Sequence, residues 1–233
     1  MSERLIAFAV FWQALEMLSL RRWWSDRGVW SRARLKLPRV QFGQTAFTSV
    51  LVCMTGAALW VMIRPNGIGL LWLAIGVWLI AIRWRGSFNG GSDAMTFHVL
   101  AACAVAGFFP SLRTMALWYI AIQSCLSYFV AGLVKLRRPG WRDGSSLNLI
   151  LLHSPSSKLR MEVPAAGVWT WLAMLFELSF PLALLDRRIA LGMIVLGTGF
   201  HLSNFRTFGL NRFFWAWVST YPAIFAVSGS VKF

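Results

Sequence analysis

Strongly polar residues inside long apolar runs are the positions most able to do chemistry here, because burying such groups in hydrocarbon is costly. Five positions qualify: His98 in AMTFHVLAAC, Gln123 and Lys135 in AIQSCLSYFVAGLVKL, Glu177 in LFELSFPLALL, and His201 in GTGFHLSNF. Gln123, Ser127, Ala131 and Lys135 recur every four residues and are read as one helix side, with Tyr128 beside them. Ala131-Gly132 removes bulk near Lys135, so a neighbouring helix or a ligand can approach closely. Desolvation disfavours an ammonium ion, and a lysine in apolar surroundings can serve as a base. Glu177, four residues before Pro181, must be protonated, paired or wetted. An ion pair with Lys135 or His201 would meet that need, structurally as readily as functionally. Bland readings stay open: Lys135 snorkels to headgroups from its helix end, and His98 and His201 only bond helices together.

The surrounding chain is built for a bilayer. Of its 233 residues 58% are hydrophobic and 13% charged, against roughly 25% charged in an ordinary soluble domain. Mean hydropathy is +0.61. A span needs about 20 mostly apolar residues. Eight candidates run roughly 4–20, 44–63, 67–84, 94–110, 112–135, 164–185, 187–205 and 212–229. The expectation is an all-α polytopic bundle of about 7–8 spans forming one membrane domain over 1–233. The first candidate holds Gln13 and Glu16, so interfacial placement is its alternative. The N-terminus lacks a strong basic region and a small-residue cleavage site, and is expected to stay in the mature chain.

A net charge of +15 raises nucleic acid as a partner. The cations instead occupy short connections between apolar runs, where orientation signals and anionic lipid contacts belong, so the bilayer is the expected partner. The block 21–42, with Arg21, Arg22, Arg27, Arg32, Arg34, Lys36 and Arg39, is expected to be cytoplasmic. Alternation then puts 84–93, 136–163 and 206–211 on the same side. Within 136–163, SSLNLILLH is apolar but too short to span, and reads as a re-entrant or interfacial helix. Trp141 marks the interface, Asp143-Gly144 is a turn able to cap that helix, and His153 reads as a surface histidine. Cys53, Cys103 and Cys125 lie in apolar runs without a C-x-x-C pair and read as inert thiols. Three dispersed histidines at no ligand spacing give no metal site.

The run YFVAGLVKLRRPGWRDGSSL, 128–147, resembles the Y-F-x-A-G-x-x-K-L-x-x-x-W-x-x-G segment of the horizontally transferred transmembrane (HTTM) domain, also the membrane part of vitamin K-dependent γ-carboxylase. FHLSNFRTFGLNRFFWAWVSTYP, 200–222, is similar to that family's F-H segment leading into the last helix. SFNGGSDAM, 87–95, looks like its G-x-D entry, and ELSFPLALL, 177–185, like its E-x-x-x-P helix. The resemblance, covering about 84–225 in order, implies a helical membrane bundle. It also implies that Lys135 occupies the position of the base that deprotonates vitamin K hydroquinone, with His201 tied to the same site. Glu177 joins them as a catalytic candidate, and His98, Gln123, Tyr128 and Trp141 as substrate-binding candidates. A quinone-like ligand is implied by resemblance alone.

The sequence ends at Phe233, a few residues past its last apolar run. γ-Carboxylation of a protein substrate by this chain alone is therefore not expected. Short bacterial members of the family, tied to maturation of a secreted peptide, suggest an accessory role with membrane or secreted-peptide partners in the inner membrane. Three functions stand side by side: a membrane enzyme or maturation factor acting on a quinone-like, lipidic or membrane-embedded peptide substrate; a non-enzymatic scaffold; and a small proton-coupled transporter. The absence of repeated halves weighs against the last.

Overall fold

Where no water reaches the backbone, a chain must satisfy its own N–H and C=O groups, so apolar runs of this length form helices. A computed structural model describes residues 1–25, 43–84, 91–154 and 157–230. These residues are all-α, with no strand among them. Their contacts define two units, Met1–Ala116 and Leu117–Phe233. The basic block at 21–42 is described only as far as Ser25. Residues 85–90, including Arg85 and the SFNG of the 87–95 run, and Lys232 also lie outside the described residues.

The first unit contains α1 (Ser2–Ser19), a single turn α2 (Arg21–Trp24), α3 (Gln44–Ile63), α4 (Gly67–Arg83) and α5 (Gly91–Phe108). Ile6, Val10 and Ala14, spaced by four, are fully buried, and α1 packs along α3 and α5. The polar Gln13 in that helix is answered from α5, its amide donating to Asp93 at 3.5 Å. The Pro65-Asn66-Gly67 turn starts α4 as its residue types suggest. The Asn66 side chain accepts from the Gly69 N–H at 2.8 Å, which satisfies one of the donors a helix start leaves open. The start of α4 crosses the end of α5 backbone to backbone, since a Cβ on Gly107 would lie 2.7 Å from Gly67 Cα.

α6 (Arg113–Leu136) begins within the first unit's range and runs into the second. After it come α7 (Pro139–Arg142), α8 (Ser145–His153), α9 (Ala166–Ser179), α10 (Arg187–Phe208), α11 (Asn211–Val218) and α12 (Tyr221–Val227). α9 tightens into a 3₁₀ segment, Phe180–Leu184, at Pro181, whose ring and missing N–H end α-helical bonding. Asp186 opens α10 by accepting from the Arg188 and Ile189 N–H groups. The sequence expects one span at 212–229; the chain instead breaks at Ser219-Thr220, before Pro222. The hydroxyls of Ser219 and Thr220 donate to the carbonyls of Ala216 and Trp217, satisfying groups around the break.

Four helices among the described residues are long and apolar enough to cross a membrane: Gln44–Ile63, Gly91–Phe108, Pro110–Leu136 and Ala166–Leu184. α4 is as apolar but has 17 residues. α6 shows what such a helix does with its two sides. Met115, Ile122, Leu126 and Val130 are exposed, whereas Ala121, Ser124, Cys125, Tyr128 and Gly132 are buried. An outward apolar side over this length suits lipid and would be a liability in water.

Candidate functional site

The second unit gathers two polar groups along the buried side of α6. The lower one joins Lys135 to Glu177. The Lys135 ammonium donates to both carboxylate oxygens, Oε1 at 2.5 Å and Oε2 at 2.6 Å. The Glu177 side chain is 4% exposed and that of Lys135 19%. The contact is possible because α9 approaches α6 at Gly132: a Cβ there would lie 3.0 Å from both Glu177 Cβ and Leu178 Cγ. The Trp141 ring covers another side of the amine, with Lys135 Nζ 5.5 Å from its centroid, a cation–π arrangement. α7, opened by Pro139 at a position where the missing N–H costs nothing, brings Trp141 there.

The upper group centres on Tyr128, two turns and about 10 Å along the axis from Lys135. Its hydroxyl lies 2.5 Å from His201 Nε2 and 2.9 Å from the Tyr221 hydroxyl. Its ring stacks on Phe180 at 3.8 Å and meets the edge of Phe176 at 5.6 Å. One turn earlier on α6, Ser124 and Thr220 are 3.0 Å apart. The Thr220 proton is committed to Trp217 O, so Ser124 donates to Thr220. Gly197, one turn before His201 on α10, makes room for Tyr221: a Cβ there would lie 2.5 Å from its hydroxyl.

His201 is 1% exposed. The rings of Phe200, Phe213 and Trp217 surround it, at centroid distances of 5.2, 5.1 and 5.4 Å. Its second nitrogen, Nδ1, has no hydrogen-bond partner among the described residues. The combination offers an amine–carboxylate pair able to exchange a proton, and a hydroxyl–imidazole chain lined by aromatic rings. Among the described residues, no three His, Cys, Asp or Glu side chains gather as metal ligands.

The residues singled out by sequence fall out unevenly. Lys135, Glu177 and Trp141 form one contact set, and Tyr128 and His201 the other. Gln123 is half-buried and makes no side-chain hydrogen bond among the described residues. His98 belongs to the first unit, half-buried on α5 with its ring edge-on to Phe97. His153 is exposed at the end of α8. Ser124, Thr220, Tyr221 and Gly197 were not singled out. The tyrosine and hydroxyls of the run VSTYP, beside a proline in an otherwise apolar segment, are the signal that could have found Thr220 and Tyr221.

In the connection between α6 and α9, the turn at Asp143-Gly144 lies against the start of α9. Gly144, at φ 88°, is in the left-handed region, and a Cβ there would collide with Gly167 N and the Ala166 backbone. The Asp143 carboxylate accepts from the Ser145 N–H at 2.8 Å and so caps α8. That backbone N–H holds its carboxyl below the usual carboxylate range. Asn148 Oδ1 accepts from the Val163 N–H at 3.0 Å, tying the backbone just before α9 to α8.

No curated protein and no solved structure matches the chain. The family model of the HTTM domain does, over residues 109–228, which is just over half of its length and takes in α6 to α12 with both polar groups. With its apolar helices, that match makes the chain an integral membrane protein belonging to the HTTM family.

Proposed function

We propose that the protein is a membrane enzyme or maturation factor in which Lys135 acts as a base on a quinone-like, lipidic or membrane-embedded peptide substrate. The observation that carries this reading is the bidentate contact between Lys135 and Glu177 in a mostly buried position. Transfer of one ammonium proton to the carboxylate leaves a neutral amine beside a neutral acid. Two neutral groups are tolerated in hydrocarbon at less cost than two separated charges. The amine then takes a proton from a substrate O–H or C–H and becomes ammonium again, while Glu177 holds the first proton. Phe200, Phe213 and Trp217 around His201 suit a planar ring.

The membrane placement is part of the proposal. We place the basic block 21–42 on the cytoplasmic side of a bacterial inner membrane. To the four long apolar helices we add α1, α4, α10 and the α11–α12 pair as further crossings, for seven to eight in all. Partner proteins, whether membrane-bound or secreted peptides, follow from the maturation reading.

A second reading has its own support. Apart from His201 Nδ1, the polar atoms of both groups are satisfied within the protein, as in a scaffold whose polar residues only join helices. Lys135→Met and His201→Gln separate the two. Each variant is compared with the parent for thermal stability in lipid and for rescue of a strain lacking the gene. Rescue lost well beyond the loss of folded protein supports the base. Lost stability with rescue proportional to the folded amount supports the scaffold. Extraction of a quinone or lipid from the purified protein adds an independent check.

A further inference from the structure

The two tyrosines and His201 form a chain whose hydrogens can be placed by accounting. Three buried groups share two contacts, Tyr221–Tyr128 and Tyr128–His201 Nε2. In a neutral imidazole one nitrogen donates and the other accepts. Suppose Nε2 carries the proton and donates to Tyr128. Tyr128 then donates to Tyr221, and the Tyr221 proton has no acceptor among the described residues, where its side-chain partner is Tyr128. Nδ1 is left as an unpaired acceptor as well. Now suppose the reverse. Tyr221 donates to Tyr128, Tyr128 donates to Nε2, and both hydroxyl protons are used. One group remains, an Nδ1–H. Each buried donor or acceptor left unmade carries a desolvation penalty, so the second arrangement, with one orphan instead of two, is preferred.

We infer that Tyr221 and Tyr128 hold His201 as its Nδ1–H tautomer, and that this N–H is a single uncommitted donor for an acceptor oxygen brought by a ligand. The inference rests on the reading of this core as a ligand site, and it narrows the ligand. An acceptor such as a carbonyl or ether oxygen completes the chain. A second donor does not. The surrounding rings Phe200, Phe213 and Trp217 hold no oxygen or second ring nitrogen that could accept, which leaves the role to the incoming molecule. Tyr221 is a positioning residue here: it acts on His201 only through Tyr128. Gly197 allows this by leaving the space its hydroxyl occupies.

The test is solid-state nitrogen NMR on the full chain in lipid, labelled with ¹⁵N-histidine. The sequence has three histidines, so His201→Gln assigns the signals by difference, and His98→Gln with His153→Gln gives the same assignment by the opposite route. A protonated Nδ1 with a bare Nε2 is the expected result. A protonated Nε2, or both nitrogens protonated, overturns the inference. In Tyr128→Phe the signal should become a mixture of tautomers; an unchanged pure Nδ1–H state there would show that the tyrosine chain does not set it. The ligand half is probed with benzophenone and, as its control, diphenylmethane, which lacks the carbonyl. Benzophenone alone should shift the Nδ1 resonance. An equal response to both, or to neither, overturns the acceptor-oxygen ligand. None of these readings needs Lys135, so loss of rescue in Lys135→Met and a wrong tautomer at His201 are separate failures.

Discussion

Lys135 and Glu177 meet where α6 has no side chain to hold α9 away. The ammonium donates to both carboxylate oxygens, and Gly132, three residues earlier, lies against Glu177 Cβ and Leu178. The pair is therefore a feature of helix packing as much as of charge.

Removing one partner strands the other. Lys135→Met leaves a nearly buried carboxylate, and Glu177→Leu leaves an ammonium without its acceptors. Each is expected to lower stability by about 3 kcal/mol, the low end for a broken buried pair because Lys135 is partly exposed. The double variant Lys135→Met with Glu177→Leu should recover most of that loss. Thermal unfolding of all three in lipid checks this; additive losses in the double variant would show that the pair is not coupled.

Gly132→Ala should separate α6 from α9 and cost about 1–3 kcal/mol, the usual range for overpacking. Gly192 on α10 is the control. A Cβ there meets nothing within 4 Å, so Gly192→Ala should be neutral or gain up to about 1 kcal/mol of helix propensity. Equal responses at the two glycines would contradict the close approach.

Tyr221→Phe keeps the ring and loses the hydroxyl, with an expected cost of about 1 kcal/mol. Gly197→Ala should reach a similar or larger loss by a different route, pushing Tyr221 off Tyr128. If the two effects arise from the same contact, the double variant should lose less than their sum. Unfolding midpoints of the singles and the double decide it.

Asp143 gives a pH dependence with a definite sign. Its carboxyl is held below the usual range by the Ser145 N–H, so the cap contributes above the unfolded value of about 3.9. That contribution disappears as pH falls through the lower folded value. The protection factors of the α8 amides, corrected for the intrinsic exchange rate at each pH, should therefore fall on acidification into that window. Asp143→Ala should show the lower protection already at neutral pH, with the acid step gone.

Charge alone made Lys135 and Glu177 legible in the sequence, because neither can lie in hydrocarbon without an answer and each supplies the other's. Tyr128 was found as a neighbour, but the helix side assigned to it was rotated. At 3.6 residues per turn, a row spaced by four drifts, and Gln123 ends about 120° around α6 from Lys135. Ser124 and Tyr128 lie within about 20° of it by the same count, and these are the residues the structure buries. Tyr221 and Thr220 escaped because they lie where one apolar run was read as one helix. The run is two, and the break turns hydroxyls inward that a continuous helix would have placed by a different register. The start of α4 at Gly67, where the span 67–84 was expected to begin, and the turn at Asp143 were readable because Asn and Asp act on neighbours in the chain. Gly197 acts on a residue 24 positions away, and single-sequence patterns carry no such information.

Pro181 gives the two polar groups a common fulcrum. It has no N–H to offer the carbonyl of Glu177 four residues before it, so main-chain stiffness is interrupted next to the carboxylate that holds Lys135. The 3₁₀ segment that contains it begins with Phe180, whose ring stacks on Tyr128. The packing of the Tyr128 ring and the end of the helix that carries Glu177 therefore fall within one turn of chain, so a substitution at Pro181 reaches both polar groups at once.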